Sequence, residues 1–323
     1  MRFDIITIGS ATIDVFVKPA EREVAKHEGH LDVCYHIGEK VLIEEMAVET
    51  GGGGTNCAVA FARLGFKTGW LGALGDDMNA DIVRKSLEKE DVAVLGKTIA
   101  GMTGYSVIMT GLHHDRSILA FKGVNDKLST FPALNTSWLY CSSMLGRSYA
   151  TLVRAVTHAK KKGVKCAFNP SMYLAKQGVA KLRPLLDCCD LLICNKEEAA
   201  ALLGARIMTV RQMLRSLQSH AKLVIITDGP AGAYATNGYD YWFIKPRPIK
   251  VIETTGAGDA FASGVVAGLI MRNDMEFALR CGMAEMTTIM HSLEGGSPQL
   301  FIDNLELLSR ASYNNVGPAG GAV

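Results

Sequence analysis

Short apolar runs alternate with amphipathic stretches along most of the chain. DIITIG at 4–9, SWLYCS at 137–142, VKCAFN at 164–169, DLLIC at 190–194 and KLVIIT at 222–227 are strand-sized and almost continuously apolar. That pattern suits strands buried on both faces. KTGWLGALG at 67–75 also reads as strand. The intervening segments carry helical spacing. NCAVAFARLG at 56–65 places Ala58, Phe61 and Ala62 inward and closes on Gly65; residues 79–90, 148–162, 178–187 and 196–204 follow the same rule. Such alternation predicts an α/β fold with a mostly parallel sheet and helices on both of its faces.

Two regions break the alternation. Residues 11–50 and 102–122 have strand-like patterns with no helix between them, and predict a small second sheet beside the main one. The last hundred residues combine hairpin signals at 232–251 with three helices, near 257–271, 274–291 and 298–309; the GPAGGAV tail reads as frayed.

A chain of 323 residues with 48% hydrophobic and 20% charged positions fits one α/β domain over 1–323. A net charge of +2, without a basic stripe carrying aromatics, argues against a nucleic-acid partner. The apolar runs are too short to span a membrane, and the opening MRFDIITIGS enters a strand without a signal-peptide pattern. The eight cysteines include no C-x-x-C pair and read as reduced, buried thiols, which points to a cytoplasmic setting. His27 and His30 have the spacing of a helical ligand pair, but their lysine and glutamate neighbours favour a solvated surface.

Four segments carry candidate chemistry. VIETTGAGDAFASGVVAGL at 251–269 is a strand end, a glycine turn and a helix with Phe261, Val265, Val266 and Leu269 on one face. Gly256 and Gly258 permit close approach to the main chain, and the unpaired N–H groups of a first helical turn suit an anion. Asp259 beside that turn is a conflict of charge that needs a purpose. ETGGGGTNCAVAFARLG at 49–65 sets four glycines before a helix. It is neither a dinucleotide fingerprint, since Asn56 stands at the third glycine position, nor a Walker loop. It reads as a plain turn or as bare backbone for a polar ligand that Asn56 hydrogen-bonds. CNKEEA at 194–199, taken alone, is a helix start with Asn195 as cap and Glu198 closing a capping box. ITDGPAGAYAT at 226–236 is strand, turn, strand.

Together these pieces resemble the ribokinase family, the PfkB carbohydrate kinases. GGGGTNCAVAFARLG and ETTGAGDAFASG are similar to its two signature regions, NKEE to its N-x-x-E motif between them, and IGSATID and TDGPAGAY to further segments in the same order. The likeness runs from about residue 4 to 310. It implies a three-layer α/β/α sandwich with a small β-sheet lid from 11–50 and 102–122, and transfer of the γ-phosphoryl of ATP to a hydroxyl of a sugar or nucleoside. Asp259 then matches the general base, and the backbone of Gly256, Ala257 and Gly258 the anion hole. Asp14, Gly52, Gly53 and Asn56 match the acceptor pocket. Asn195, Glu198, Thr227 and Gly229 match the ATP site, with Glu198 organising Mg²⁺ through water. The adenine is expected against 244–252 and the helix near Met283–Met290. Lid strands of the family also form dimer interfaces, so a homodimer is implied.

Three departures alter the expectation. Glu253 stands where the family has an aspartate near its activating monovalent cation, which puts K⁺ activation in doubt. Gly53 and Thr12 replace a lysine and an asparagine of ribokinase. SWLYCSS lacks the sugar-contacting glutamate of that strand. A ribose- or fructose-like acceptor leads. A nucleoside acceptor would be favoured by a lid aromatic such as Tyr35, Tyr105 or Phe121. A catalytically silent sugar-binding relative is disfavoured because Asp259, Asn195 and Glu198 are all present.

Overall fold

The computed structural model describes residues 1–20, 23–27, 30–110, 116–205, 207–246, 256–290 and 314–316. The main sheet has ten strands. Seven run parallel: β15 (Leu223–Thr227), β14 (Leu191–Asn195), β13 (Lys165–Phe168), β12 (Thr136–Cys141), β1 (Phe3–Ile8), β6 (Thr68–Leu71) and β8 (Ala93–Val94), in that spatial order. Beyond β15, β16 (Ala233–Thr236), β17 (Tyr241–Ile244) and β18 (Asn314–Val316) continue antiparallel.

Alternation along the parallel strands feeds two separate cores, as strand geometry requires. Ile6, Ile8, Leu139, Leu192, Val224 and Ile226 meet helices α3 (Gly146–Lys161), α5 (Gly178–Leu186), α6 (Lys196–Leu203) and α7 (Val210–Gln218). On the other face Ile5, Trp138, Tyr140, Ile193 and Ile225 meet α1 (Gly53–Arg63), α8 (Ala257–Arg272) and α9 (Met275–Met290). The three layers expected from the pattern are present, and α7 adds a helix that the spacing reading passed over.

Helix α8 corrects one expectation. Phe261, Val265, Val266 and Leu269 are buried, but so is every residue from Ala260 to Leu269, because α8 lies between the sheet, α1 and α9. A helix enclosed on all sides has no polar face to define a stripe. Close packing here depends on glycine: a Cβ on Gly264 would sit 2.5 Å from the Cys281 carbonyl oxygen of α9. Ala62 of α1 is half-buried and packs against the core beneath the small sheet.

The second sheet has four strands in the order β11 (Arg116–Phe121), β10 (Gly104–Thr110), β2 (Thr12–Pro19), β5 (Ile43–Gly51). Its β10–β2 pair is parallel and its outer pairs are antiparallel. In β2 the residues Ile13, Val15 and Val17 point inward onto Ala80, Val83 and Leu87 of α2 (Met78–Lys89). Two short strands, β7 (Ala73–Leu74) and β9 (Lys97–Thr98), form a parallel pair of their own. The segment between β2 and β5 forms a separate hairpin, β3 (Glu23–His27) with β4 (His30–Cys34), which stays outside the four-stranded sheet. His27 and His30 are therefore register partners in two antiparallel strands and do not lie one turn apart on a helix. Among the described residues no group of three or more His, Cys, Asp or Glu could hold a metal ion, and no helix is long and apolar enough to cross a membrane. The expected helix at 298–309 lies outside the described residues.

Candidate active site

The parallel strands end side by side on one edge of the sheet, where α/β proteins bind ligands. Thr227 closes β15 and Asn195 closes β14; Asn169 and Ser171 follow β13, Ser142 and Ser143 follow β12, and Ser10 follows β1. All seven line one cavity of about 370 Å³. Four strand spacings of about 4.8 Å make this row roughly 19 Å long. The facing wall is Gly53 at the start of α1 and Gly256, Gly258 and Asp259 at the start of α8. Lys122, Asn125 and Asp126, from the turn after β11, complete the rim.

The start of α8 is built for a negative charge. Gly256 caps the helix at φ 77°, a left-handed conformation that favours glycine, and it has no side chain to cap the first-turn N–H groups. Sixteen residues of helix stand behind that turn, so the dipole adds to the free donors. Gly258 has open space where a side chain would project.

Asp259 sits in this turn under close control. Asn56 Nδ2 donates to its Oδ2 at 2.9 Å. Its backbone carbonyl accepts from Ser263 Oγ at 2.7 Å and from the Cys57 thiol at 3.7 Å. Burial pushes the Asp259 carboxyl above its ordinary value; hydrogen bonds from Asn56 and Cys57 pull it back, and the charge of Asp14 pushes it up again. Neighbouring residues of α1 therefore hold both the side chain and the main chain of a residue 203 positions away.

Asp14 reaches this region from the small sheet. Its Oδ1 is buried and, among the described residues, has no hydrogen-bond partner. A buried carboxylate oxygen left in that state is costly, and a ligand hydroxyl would relieve the cost. Gly51 makes room for it, since a side chain there would run into the carboxylate. Gly52, at φ 103°, packs against the backbone of Ser10 and Ala11. Gly54 comes as close to Gly9, where an added Cβ would lie 2.5 Å from the Gly9 carbonyl carbon. The glycine run thus serves close packing against β1 as well as exposing backbone.

Asn195 and Glu198 do form the capping box: Glu198 N donates to Asn195 Oδ1 at 2.7 Å, and Asn195 N to Glu198 Oε2 at 3.0 Å. Both also face the cavity, so the structural reading and the binding reading describe the same two residues. Burial raises the Glu198 carboxyl to about 7, and the charges of Glu197 and Asp259 act in the same direction. Gly229, at φ 48°, opens the turn between β15 and β16 and stays off the cavity wall, as do Ala257, Gly52, Asn56 and Asp14. Glu253, the monovalent-cation candidate, lies outside the described residues, as do residues 247–252 of the adenine expectation. Met283 packs into the core beneath α8.

Ser142, Ser143, Asn169, Ser171, Tyr173 and Lys122 line the cavity without having stood out in the sequence. For most of them a signal existed: a small polar residue directly after an apolar strand sits at the binding edge of a parallel sheet. Lys122 had no such signal. Tyr35, Tyr105 and Phe121 are absent from the cavity wall.

Comparison with known proteins fits this geometry. The model of the pfkB family carbohydrate kinases matches residues 4–298. A ribokinase of Haemophilus influenzae is 27% identical over 260 residues, covering 76% of this chain and 83% of the relative. Among solved structures, Arabidopsis thaliana ribokinase complexed with ribose and ATP superposes with a TM-score of 0.79 at 21% identity, covering 95% of this chain and 99% of that one. The adenosine kinase of Sinorhizobium meliloti superposes with a TM-score of 0.79 at 18% identity, covering 95% and 100%. A turn that offers N–H groups beside a held carboxylate, at the ends of a parallel sheet of this topology, thus has its family: the chain belongs to the pfkB carbohydrate kinases, ATP-dependent sugar and nucleoside kinases of the ribokinase fold.

Proposed function

We propose that this chain transfers the γ-phosphoryl group of ATP to a hydroxyl of a small sugar, ribose- or fructose-like, with Asp259 as general base. The observation that carries the reading is Asp259 itself: a carboxylate held by Asn56 at the cavity's edge, in the same turn as unpaired helix N–H groups. Asp259 would accept the proton of the acceptor hydroxyl as that oxygen bonds to the γ-phosphorus. The bond from the γ-phosphorus to the bridging oxygen breaks, and ADP leaves. Backbone N–H groups of Gly256, Ala257 and Gly258 would bear the charge of the transferring group. Asp14, with its unpartnered oxygen, would take acceptor hydroxyls beside Gly52 and Gly53. Asn195, Thr227 and Gly229 would meet the nucleotide.

Mg²⁺ fits next to Glu198, a carboxylate that burial makes costly to ionise and that a cation would relieve. Mg²⁺ keeps most of its waters, so a site with one protein carboxylate and nucleotide oxygens suffices. When bound it neutralises phosphate charge. Glu253 would be the residue that the family resemblance assigns to a K⁺ site.

A sugar acceptor is preferred over a nucleoside because the wall near Gly53 carries the small polar Ser10 and Ser142, and none of the lid aromatics Tyr35, Tyr105 or Phe121 lines the cavity. The small sheet would act as a lid over the acceptor. Its exposed Met46, Val48, Ile118, Leu119 and Phe121 support a homodimer through this sheet, testable by sedimentation velocity. The function is tested by ADP release from MgATP with ribose, fructose, 2-keto-3-deoxygluconate, adenosine, cytidine and inosine, each with and without K⁺. Turnover on a sugar that Asp259→Asn abolishes supports the reading; turnover confined to a nucleoside moves it to the alternative acceptor.

A further inference from the structure

The cavity wall contains three carboxylates, Asp126, Glu198 and Asp259, and among the described residues a single basic side chain, Lys122. A transferring phosphoryl group spreads its charge over three oxygens, and stabilising that charge is the main task of a phosphoryl-transfer site. The main-chain donors of the α8 turn face it from one side. The opposite wall needs a positive group, and its position in the row of strand ends can be read.

Lys122 lies over the ring of Tyr173, its Nζ 4.7 Å from the centroid. Tyr173 belongs to the short helix Met172–Ala175 that follows β13. Strand β13 stands between β14, whose end carries Asn195, and β12, whose end leads to Ser142 beside Gly53. The Lys122 ammonium therefore lies over a residue of the segment that follows β13, the strand between those two ends. Stacking on the ring covers one side of the ammonium and limits its rotamers. Asp126 is close enough for its carboxyl to respond to the Lys122 charge.

At Gly53 the α1 side of the cavity leaves little room for a basic side chain. A Cβ on Gly53 would run into Ser142 Oγ and stand 3.5 Å from Asp259 Oδ1. Any longer side chain at Gly53 would have to displace one of the two.

We propose that Lys122 is a catalytic residue whose ammonium, placed between the two substrate ends by Tyr173, contacts the γ-phosphoryl group during its transfer. The inference rests on the kinase reading. Lys122 lends charge to the transferring group from the β13 side, while the acceptor proton passes to Asp259. Because Lys122 follows directly on β11 of the small sheet, its position also ties the setting of that sheet to the chemistry.

The test pairs kinetics with nucleotide binding. Lys122→Met keeps length and removes charge, Lys122→Arg keeps charge, and Tyr173→Leu removes the platform. With whichever acceptor the wild-type chain turns over, Lys122→Met is expected to lower kcat by about 10²–10³-fold, the range for loss of one charge-stabilising donor. Acceptor KM should change less than about 3-fold, and Lys122→Arg should recover most of the loss. Calorimetry without acceptor, in Mg²⁺, compares ADP with the non-hydrolysable analogue AMPPNP. Lys122→Met should weaken AMPPNP at least about tenfold more than ADP, while Tyr173→Leu moves the same way by less. This arm reads Lys122 even if wild-type protein phosphorylates nothing in the panel, in which case the kinase reading fails by itself. Unchanged kcat, an effect limited to the KM of one acceptor, or equal weakening of ADP and AMPPNP would each overturn the assignment.

Discussion

The two sheets of this molecule solve the same problem in opposite ways. The parallel sheet is covered on both faces, and Ile5, Ile6, Leu139, Leu191, Leu192, Val224 and Ile225 are fully buried. The small sheet is covered on one face by α2, and β5 leaves seven consecutive residues, Ile43 to Glu49, exposed. One is held by its core and can place residues at its strand ends within hydrogen-bonding tolerance. The other has free surface and few constraints, which suits a part that meets ligands or a second copy. The candidate site lies on the seam, with Asp259, Asn195 and Thr227 from the covered side and Asp14 and Lys122 from the open side.

If that division of labour holds, substitutions should separate chemistry, stability and assembly. The largest effect belongs to Asp259. Asp259→Asn should lower kcat by at least about 10²-fold, the lower end for loss of a general base, with little change in unfolding midpoint. A destabilised variant would mean that the carboxylate holds the fold rather than the reaction.

The second effect concerns pH. A base must be ionised, and burial raises the Asp259 carboxyl, so kcat/KM should fall on acidification through an apparent pKa above the ordinary aspartate range near 3.9. Glu198, raised to about 7, also lies above the ordinary carboxylate range, and its carboxyl responds to the charge of Asp259. The limb therefore belongs to the group. Asn56→Ala removes a donor that favours the ionised form, so the limb should move to higher pH. A limb that stays in place would separate Asn56 from the control of Asp259.

Stability tests the covered side. Gly54→Ala forces a Cβ against the Gly9 backbone and should cost about 1–3 kcal/mol in denaturant unfolding. Glu285, 5% exposed on α9, is raised by burial from 4.5 to about 7. Its folded-state pKa exceeds the unfolded one, so its contribution is most favourable below pH 4.5 and is lost as pH rises through about 7. Glu285→Gln should stabilise the chain at pH 8 by up to about 3 kcal/mol, from a shift of about 2.5 units at 1.36 kcal/mol each, and the gain should shrink toward pH 5. The smallest effect belongs to the open face. Phe121→Ser, 52% exposed, should change unfolding free energy by no more than about 0.5 kcal/mol, yet shift sedimentation if two copies meet there.

Strand and helix identity across the main sheet was legible because both faces are buried: near-continuous apolar runs such as LVIIT leave little choice. The capping box at Asn195 and the glycine turns at 51–54 and 256–258 were legible because local backbone chemistry specifies them. Helix α8 misled in detail, since periodicity assumes one wet side and α8 has none between residues 260 and 269. The His27–His30 spacing did not decide the local structure, because spacing alone does not distinguish a helical turn from a pair of antiparallel strands.

What the sequence determined by itself, then, was everything set by neighbours along the chain: the elements, their caps and turns, and the acidic residue placed in a glycine turn. What only the tertiary structure decided was which distant residues share a space. Asn56 reaches Asp259 across 203 positions because α1 packs on α8, the Asp14 carboxylate finds room because Gly51 carries no side chain, and Lys122 enters the cavity because β11 ends beside Tyr173. Contacts of that kind depend on how whole elements pack, and no local spacing encodes them.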